Sequence, residues 1–134
     1  MNDSCQIPTY ITSGAVSADV TGGAIDARHY RVASFTAQWT STGTPVGVLK
    51  IQGTNQNPVE VSSPTWATYY IDQNKYDISD ATWASGAITT TGAAGGYASI
   101  IVEPVHPWIR FFYDRTSGGT ANTSFAVQVH LREE

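Results

Sequence analysis

Charge is scarce in this chain. Asp, Glu, Lys and Arg make up 13% of its 134 residues, about half the usual quarter. The seven basic residues nowhere form a run, and the formal net charge is −4. Phosphate recognition needs a basic patch, so no direct nucleic-acid partner is expected. The single cysteine, Cys5, excludes an internal disulfide. No apolar stretch approaches the roughly 20 residues of a membrane span. The start, Met1-Asn2-Asp3-Ser4-Cys5, lacks the basic and apolar regions of a signal peptide, so folding in a cytoplasm is expected. No segment carries a capped 3.6-residue period, which predicts little or no helix.

Chemistry-bearing patterns are missing too. There is no Gly-x-Ser-x-Gly elbow and no Walker loop. The histidines, His29, His106 and His130, stand at no metal-ligand spacing. Asp72, Asn74, Asp77 and Asp80 are oxygen donors of the kind calcium prefers, but they lack the EF-hand's central glycine and terminal glutamate and read as turn formers. Nothing pairs Glu60 with Glu103 as glycosidase carboxylates. The expectation is a non-enzyme with no catalytic residue, no metal and no cofactor.

What is present is β-structure. Threonine, serine, glycine and alanine fill the place of charge, and four tryptophans, seven tyrosines and four phenylalanines require burial. Phe125, Val127, Val129 and Leu131 alternate with Ser124, Ala126, Gln128 and His130, the period of a strand buried on one side. Trp108 to Tyr113 is apolar on both faces, which suits a central strand with a covered outer face. Gly118-Gly119 between the two predicts an antiparallel hairpin. Val32–Thr40 and Val48–Gln52, across the turn at 41–45, predict a second. Tyr97–Glu103 and Ala87–Thr91 read as strands, Gly92 to Gly96 as a flexible loop, and Ile78–Trp83 as a helical turn or loop. Short strands with turn signals every 8 to 12 residues or so predict one antiparallel β-sandwich of jelly-roll type over residues 15–134. Its core is expected to hold Phe35, Trp39, Leu49, Ile51, Ile109, Phe111, Phe125, Val127 and Val129.

Residues 1–14 read as an N-terminal arm. Ile7, Pro8, Tyr10 and Ile11 would dock on a partner, or the arm folds back as an edge strand. Arg110, between Ile109 and Phe111, needs a partner; Asp114 is the expected one, with a subunit contact as the alternative.

Phe35-Thr36-Ala37-Gln38-Trp39, then Pro45-Val46-Gly47-Val48-Leu49-Lys50-Ile51-Gln52-Gly53-Thr54-Asn55, then Trp66, Trp108-Ile109-Arg110-Phe111-Phe112-Tyr113 and Arg115-Thr116-Ser117-Gly118-Gly119-Thr120-Ala121-Asn122 follow one another in order. This order resembles small bacteriophage virion proteins, the β-sandwich accessory subunits of capsid or fibre, over about residues 33 to 131. The resemblance implies a structural virion protein, a decoration or accessory subunit on a preassembled shell. It further implies capsid or other virion proteins as partners, a homo-oligomer with a trimer favoured, and assembly in the host cytoplasm. A carbohydrate-binding module is the alternative. Trp66, Tyr69 and Tyr70, with Tyr76 and Trp83, lie in the least regular region, where exposed rings would stack on sugars or else pad the core beneath loops.

Overall fold

The computed structural model describes residues 4–12, 14–16, 18–41, 46–91, 95–117 and 122–133. Residues 42–45, 92–94 and 118–121, in the expected turns, lie outside the described residues; Gly95 and Gly96, expected in the flexible loop at 92–96, instead begin a strand paired to Thr40 and Trp39. Twelve strands and no helix occur among the described residues. They are β1 (Ser4–Ile11), β2 (Val20–Thr21), β3 (Ile25–Asp26), β4 (Val32–Ser41), β5 (Val46–Thr54) and β6 (Ala67–Thr68). β7 (Tyr76–Ser79), β8 (Ala81–Ala84), β9 (Ala87–Thr90), β10 (Gly95–Val102), β11 (Trp108–Ser117) and β12 (Asn122–Arg132) complete the chain.

Two antiparallel sheets pack face to face as a β-sandwich. One has the order β1-β12-β4-β10-β7; the other has β2-β11-β5-β9-β8, with β3 also on β11 and β6 also on β5. The pairings nest: β1 with β12, β2 with β11, β4 with β10 and β5 with β9. The chain is one long ribbon, first half against second half, rolled up in the winding of a jelly roll.

That winding corrects both expected hairpins. β11 and β12 follow each other in sequence but lie in opposite sheets, as do β4 and β5. β11 already has β5 on one edge and β2 and β3 on the other, while β12 is held between β1 and β4. The apolar faces of β11 and β12 meet across the sandwich instead of sharing an edge. Phe125 meets Tyr113 at 4.8 Å between ring centroids and Phe111 at 6.2 Å, both pairs tilted. Phe35 lies 6.4 Å from Phe111, and Trp39 lies 6.4 Å from Phe125. All nine expected core residues are buried, joined by Ile88, Ile100, Tyr113 and Leu131 among others. Offset aromatic pairs of this kind add to the burial term.

The stretch at 78–83 is neither helical turn nor loop but the end of β7 and most of β8. Asp80 separates them at φ 58°, and its carbonyl accepts from the Thr91 amide at 3.1 Å and the Thr91 hydroxyl at 2.9 Å. An aspartate tolerates that left-handed geometry better than most residues, so a single position redirects the chain from one sheet to the other. β8 and β9 then close on Ser85 and Gly86, both at positive φ (50° and 82°), as a two-residue hairpin turn requires.

Residues 4–11 are not a free arm. β1 pairs with β12 from Ser4 opposite Arg132 to Ile7 opposite Val129, then shifts register before Ile11. Pro8 sits exposed in this edge strand, where a missing N–H does no harm. Ile7, Tyr10 and Ile11 are half-buried against the chain's own core. Tyr10 also crosses to the other sheet. Its hydroxyl donates to the Gly23 carbonyl at 2.5 Å and accepts from the Phe111 amide at 3.1 Å, while the Gly22 amide donates to the Phe111 carbonyl at 2.9 Å. β2 covers β11 at Phe112 and Tyr113, β3 covers it at Trp108 and Ile109, and this cluster fills the interval. A Cβ on Gly22 would collide with the hydroxyl end of Tyr10, so a side chain there would displace that ring.

Two predictions follow from this packing. Phe125→Ala should cost about 3–5 kcal/mol in urea unfolding, from lost burial and a residual cavity. Burial pushes the Tyr10 hydroxyl up to about 12, against the opposing pull of the Phe111 amide and of the Arg110 charge. A raised folded pKa stabilises below the unfolded value near 10 and loses that contribution as pH rises through 12. The stability advantage of the parent chain over Tyr10→Phe should therefore be constant to about pH 10. It should then shrink by on the order of 2 kcal/mol towards pH 12, read from urea midpoints.

Candidate functional site: a cleft beside Tyr69 and Tyr70

The segment after β5 builds a cleft. It leaves the sheet at Thr54, returns as β6 alongside Gln52 and Gly53, and continues into Tyr69, Tyr70 and Ile71. The cleft holds about 380 Å³, within the range of small-ligand sites. It is lined by residues 67–70 and by Asp72 and Lys75 from this segment, and by Ile101, Glu103, Val105 and His106 from the end of β10 and the connection that follows it.

Hydrogen bonds hold Tyr69. The Tyr69 amide donates to the Ile51 carbonyl at 2.8 Å. Its hydroxyl stands 2.8 Å from His106 Nδ1 and accepts from the Val105 amide at 3.1 Å, and burial raises its pKa above the ordinary phenol value. A Cβ on Gly53 would meet both the His106 ring and the Tyr69 hydroxyl, so this glycine lets the pair lie on the strand.

Tyr70 is 64% exposed, yet its position is set. The next residue, Ile71, is hooked twice: its amide donates to the Gly86 carbonyl at 3.0 Å, and its carbonyl accepts from Trp83 Nε1 at 2.8 Å. The Tyr70 ring lies over Gly86 and meets Trp83 edge-on, with centroids 6.5 Å apart. Trp83 is stacked in turn on Tyr76 at 6.0 Å. The Lys75 carbonyl accepts from the Ile101 amide at 2.9 Å, which sets Lys75 beside the end of β10. The ion pairs among the described residues are Arg28–Asp26 and Lys50–Asp114, so Asp72, Lys75 and Glu103 face the cleft without pairing to one another.

Of the three aromatics expected to face a ligand, Tyr69 and Tyr70 line the cleft and Trp66 does not. Trp66 lies over Arg110, whose guanidinium carbon is 4.2 Å from the ring centroid. This corrects the expected Arg110–Asp114 pair. Asp114 takes Lys50 at 2.9 Å, whereas Arg110 donates through Nε to Gln52 Oε1 at 2.9 Å and rests between Trp66 and Phe112. Part of the outer face of β11 is thus covered by the chain itself. Within the Asp72–Asp80 segment, Asp77 accepts from the Tyr97 hydroxyl at 3.3 Å, and no three His, Cys, Asp or Glu side chains converge among the described residues. Sequence inspection missed Lys75, Ile101, Glu103, Val105 and His106 as cleft residues. The useful signal was Pro104 and Pro107, which mark the extended connection carrying three of them past the tyrosines.

No protein-family model matches the chain, and no curated protein matches it by sequence. Among solved structures, the crystal structure of SPBc2 prophage-derived protein YomS is similar over 98% of this chain and 95% of that chain. The TM-score is 0.51 at 10% sequence identity, a likeness of fold.

Gly86→Ala should cost more than about 1 kcal/mol, because φ 82° disfavours a side chain and the new methyl displaces Tyr70. Trp66→Ala should cost about 1 kcal/mol through loss of the cation–π contact while leaving the cleft residues in place. Thermal unfolding gives both costs. Amide shifts at Tyr70 and Ile101 separate them, moving in the first variant and not in the second.

Proposed function

We propose that the protein is a structural component of a bacteriophage virion, an accessory or decoration subunit that packs onto a preassembled protein shell and carries out no chemistry. The observation that carries this reading is the likeness in fold to a prophage-derived protein across nearly the full length of both chains. The surface supports it. The outer face of the sheet containing β4, β10 and β12 presents Ser34, Thr36, Gln38, Ser99, Ala126, Gln128 and His130, a polar face with little charge. Several hydroxyls on it pair with one another: Thr36 with Ser99 at 3.2 Å and Thr40 with Ser124 at 2.8 Å. Such a face loses little solvation when another protein covers it.

The subunit assembles in the host cytoplasm and self-associates, with a trimer favoured. The pairing of β1 with β12 supports an anchor on the sandwich rather than on a free arm, since deletion of residues 1–14 would uncover β12.

The test is a phage carrying this gene beside one in which it is deleted. The protein should be found in purified particles of the first, and added protein should sediment with particles of the second. Protein left wholly in the lysate, with no affinity for deletion particles, overturns the proposal. Light scattering of the isolated protein at on the order of tens of micromolar should give a trimer, and a monomer there would confine assembly to the particle.

A further inference from the structure

We propose that the Tyr69–Tyr70 cleft is a binding site for a neutral saccharide. This goes beyond the virion reading and stands or falls without it. Three features of the cleft select the ligand class. The first is Tyr70, a largely exposed ring set in place by Gly86, Trp83 and the doubly bonded Ile71. An aromatic face carries negative quadrupole charge and attracts the weakly positive C–H face of a pyranose. Because the ring is already positioned, little ordering cost is left for the moment of binding.

The second is the set of polar groups around that ring. Asp72 and Glu103 are acceptors, Lys75 is a donor, and none of the three is paired with another. Vicinal hydroxyls both donate and accept, so a sugar can satisfy carboxylates and an ammonium together. A wholly apolar ligand would strip all three of water and give nothing back. The third is sign. Two carboxylates against one ammonium leave the cleft net negative, with His106 already engaged by Tyr69. That disfavours phosphates, nucleotides and acidic sugars, and leaves neutral hexoses and N-acetylhexosamines. Val105 and Ile101, 80% and 37% exposed, add apolar surface to the lining. In a virion subunit such a site would face glycans of the host surface.

The experiment uses the full chain, isotopically labelled. It is titrated with trisaccharides of glucose, galactose, mannose and N-acetylglucosamine, and separately with sialyllactose and with inorganic phosphate. At least one neutral trisaccharide should give saturable amide shifts centred on Tyr70, Lys75, Ile101 and Val105, with a dissociation constant on the order of 1 mM. Tyr70→Ala should weaken that binding at least tenfold, and Glu103→Gln several-fold. Both side chains are exposed, so both variants should keep the parent's spectrum elsewhere. The proposal is overturned if no neutral trisaccharide shifts those amides, if the shifts persist unchanged in Tyr70→Ala, or if sialyllactose or phosphate binds there in place of the neutral sugars.

Discussion

The contact on which the rest of this molecule depends is the aromatic seam between its two sheets. Phe125 on β12 meets Phe111 and Tyr113 on β11, and Phe35 and Trp39 on β4 extend the seam. Rings of that size bury more apolar area than any other side chains, and burial scales with area. Strands adjacent in sequence therefore gain more by facing each other across the sandwich than by pairing as neighbours. Backbone hydrogen bonds are then satisfied by strands from the other half of the chain. The nested pairing of first half with second half follows from this. Tyr10 belongs to the same arrangement. Its ring packs edge-on against Phe35, 6.2 Å between centroids, while its hydroxyl reaches the β11 backbone.

The candidate site lies outside that seam, mostly in connections, with Thr68 from the short β6 and Ile101 from the end of β10. The connections are nevertheless stiff, because each is tied to a strand by specific groups: Tyr69 to Ile51, Ile71 to Gly86 and Trp83, Lys75 to Ile101. A rigid scaffold carrying positioned loops is the usual arrangement for binding surfaces. Arg110 shows the same economy of contact on the other face. A guanidinium that loses water finds Gln52 and two aromatic rings, and Asp114 is left to Lys50.

The strands of the core were legible in sequence because alternation is a local property. Phe125 to Leu131 and Ala33 to Trp39 announce their buried faces residue by residue, and the sandwich class follows from the number of such stretches. Partnership is not local. Nothing in Gly118-Gly119 says whether a turn joins neighbours in one sheet or carries the chain to the other, and the answer came from the rings that had to meet. The two short strands around Asp80 were missed because four residues give too few alternations to outweigh a left-handed bend. The cleft was half legible. Two consecutive tyrosines in an irregular stretch mark exposed aromatic surface. That Glu103 and Lys75 stand beside them depends on the Ile101 amide bonding to the Lys75 carbonyl, a contact between segments far apart in the chain.

β12, the last strand in the sequence, is an interior strand of its sheet, flanked by β1 on one side and β4 on the other. During synthesis β1 has no strand to pair with and β4 has only β10, until residues 122–132 have left the ribosome. Pairings between strands this far apart in sequence form slowly, because loop closure must precede them. The first sheet is thus complete only when β12 enters between β1 and β4. Until then the apolar faces of β1 and β4 lack one neighbour, and open faces of that kind are where association with other chains begins.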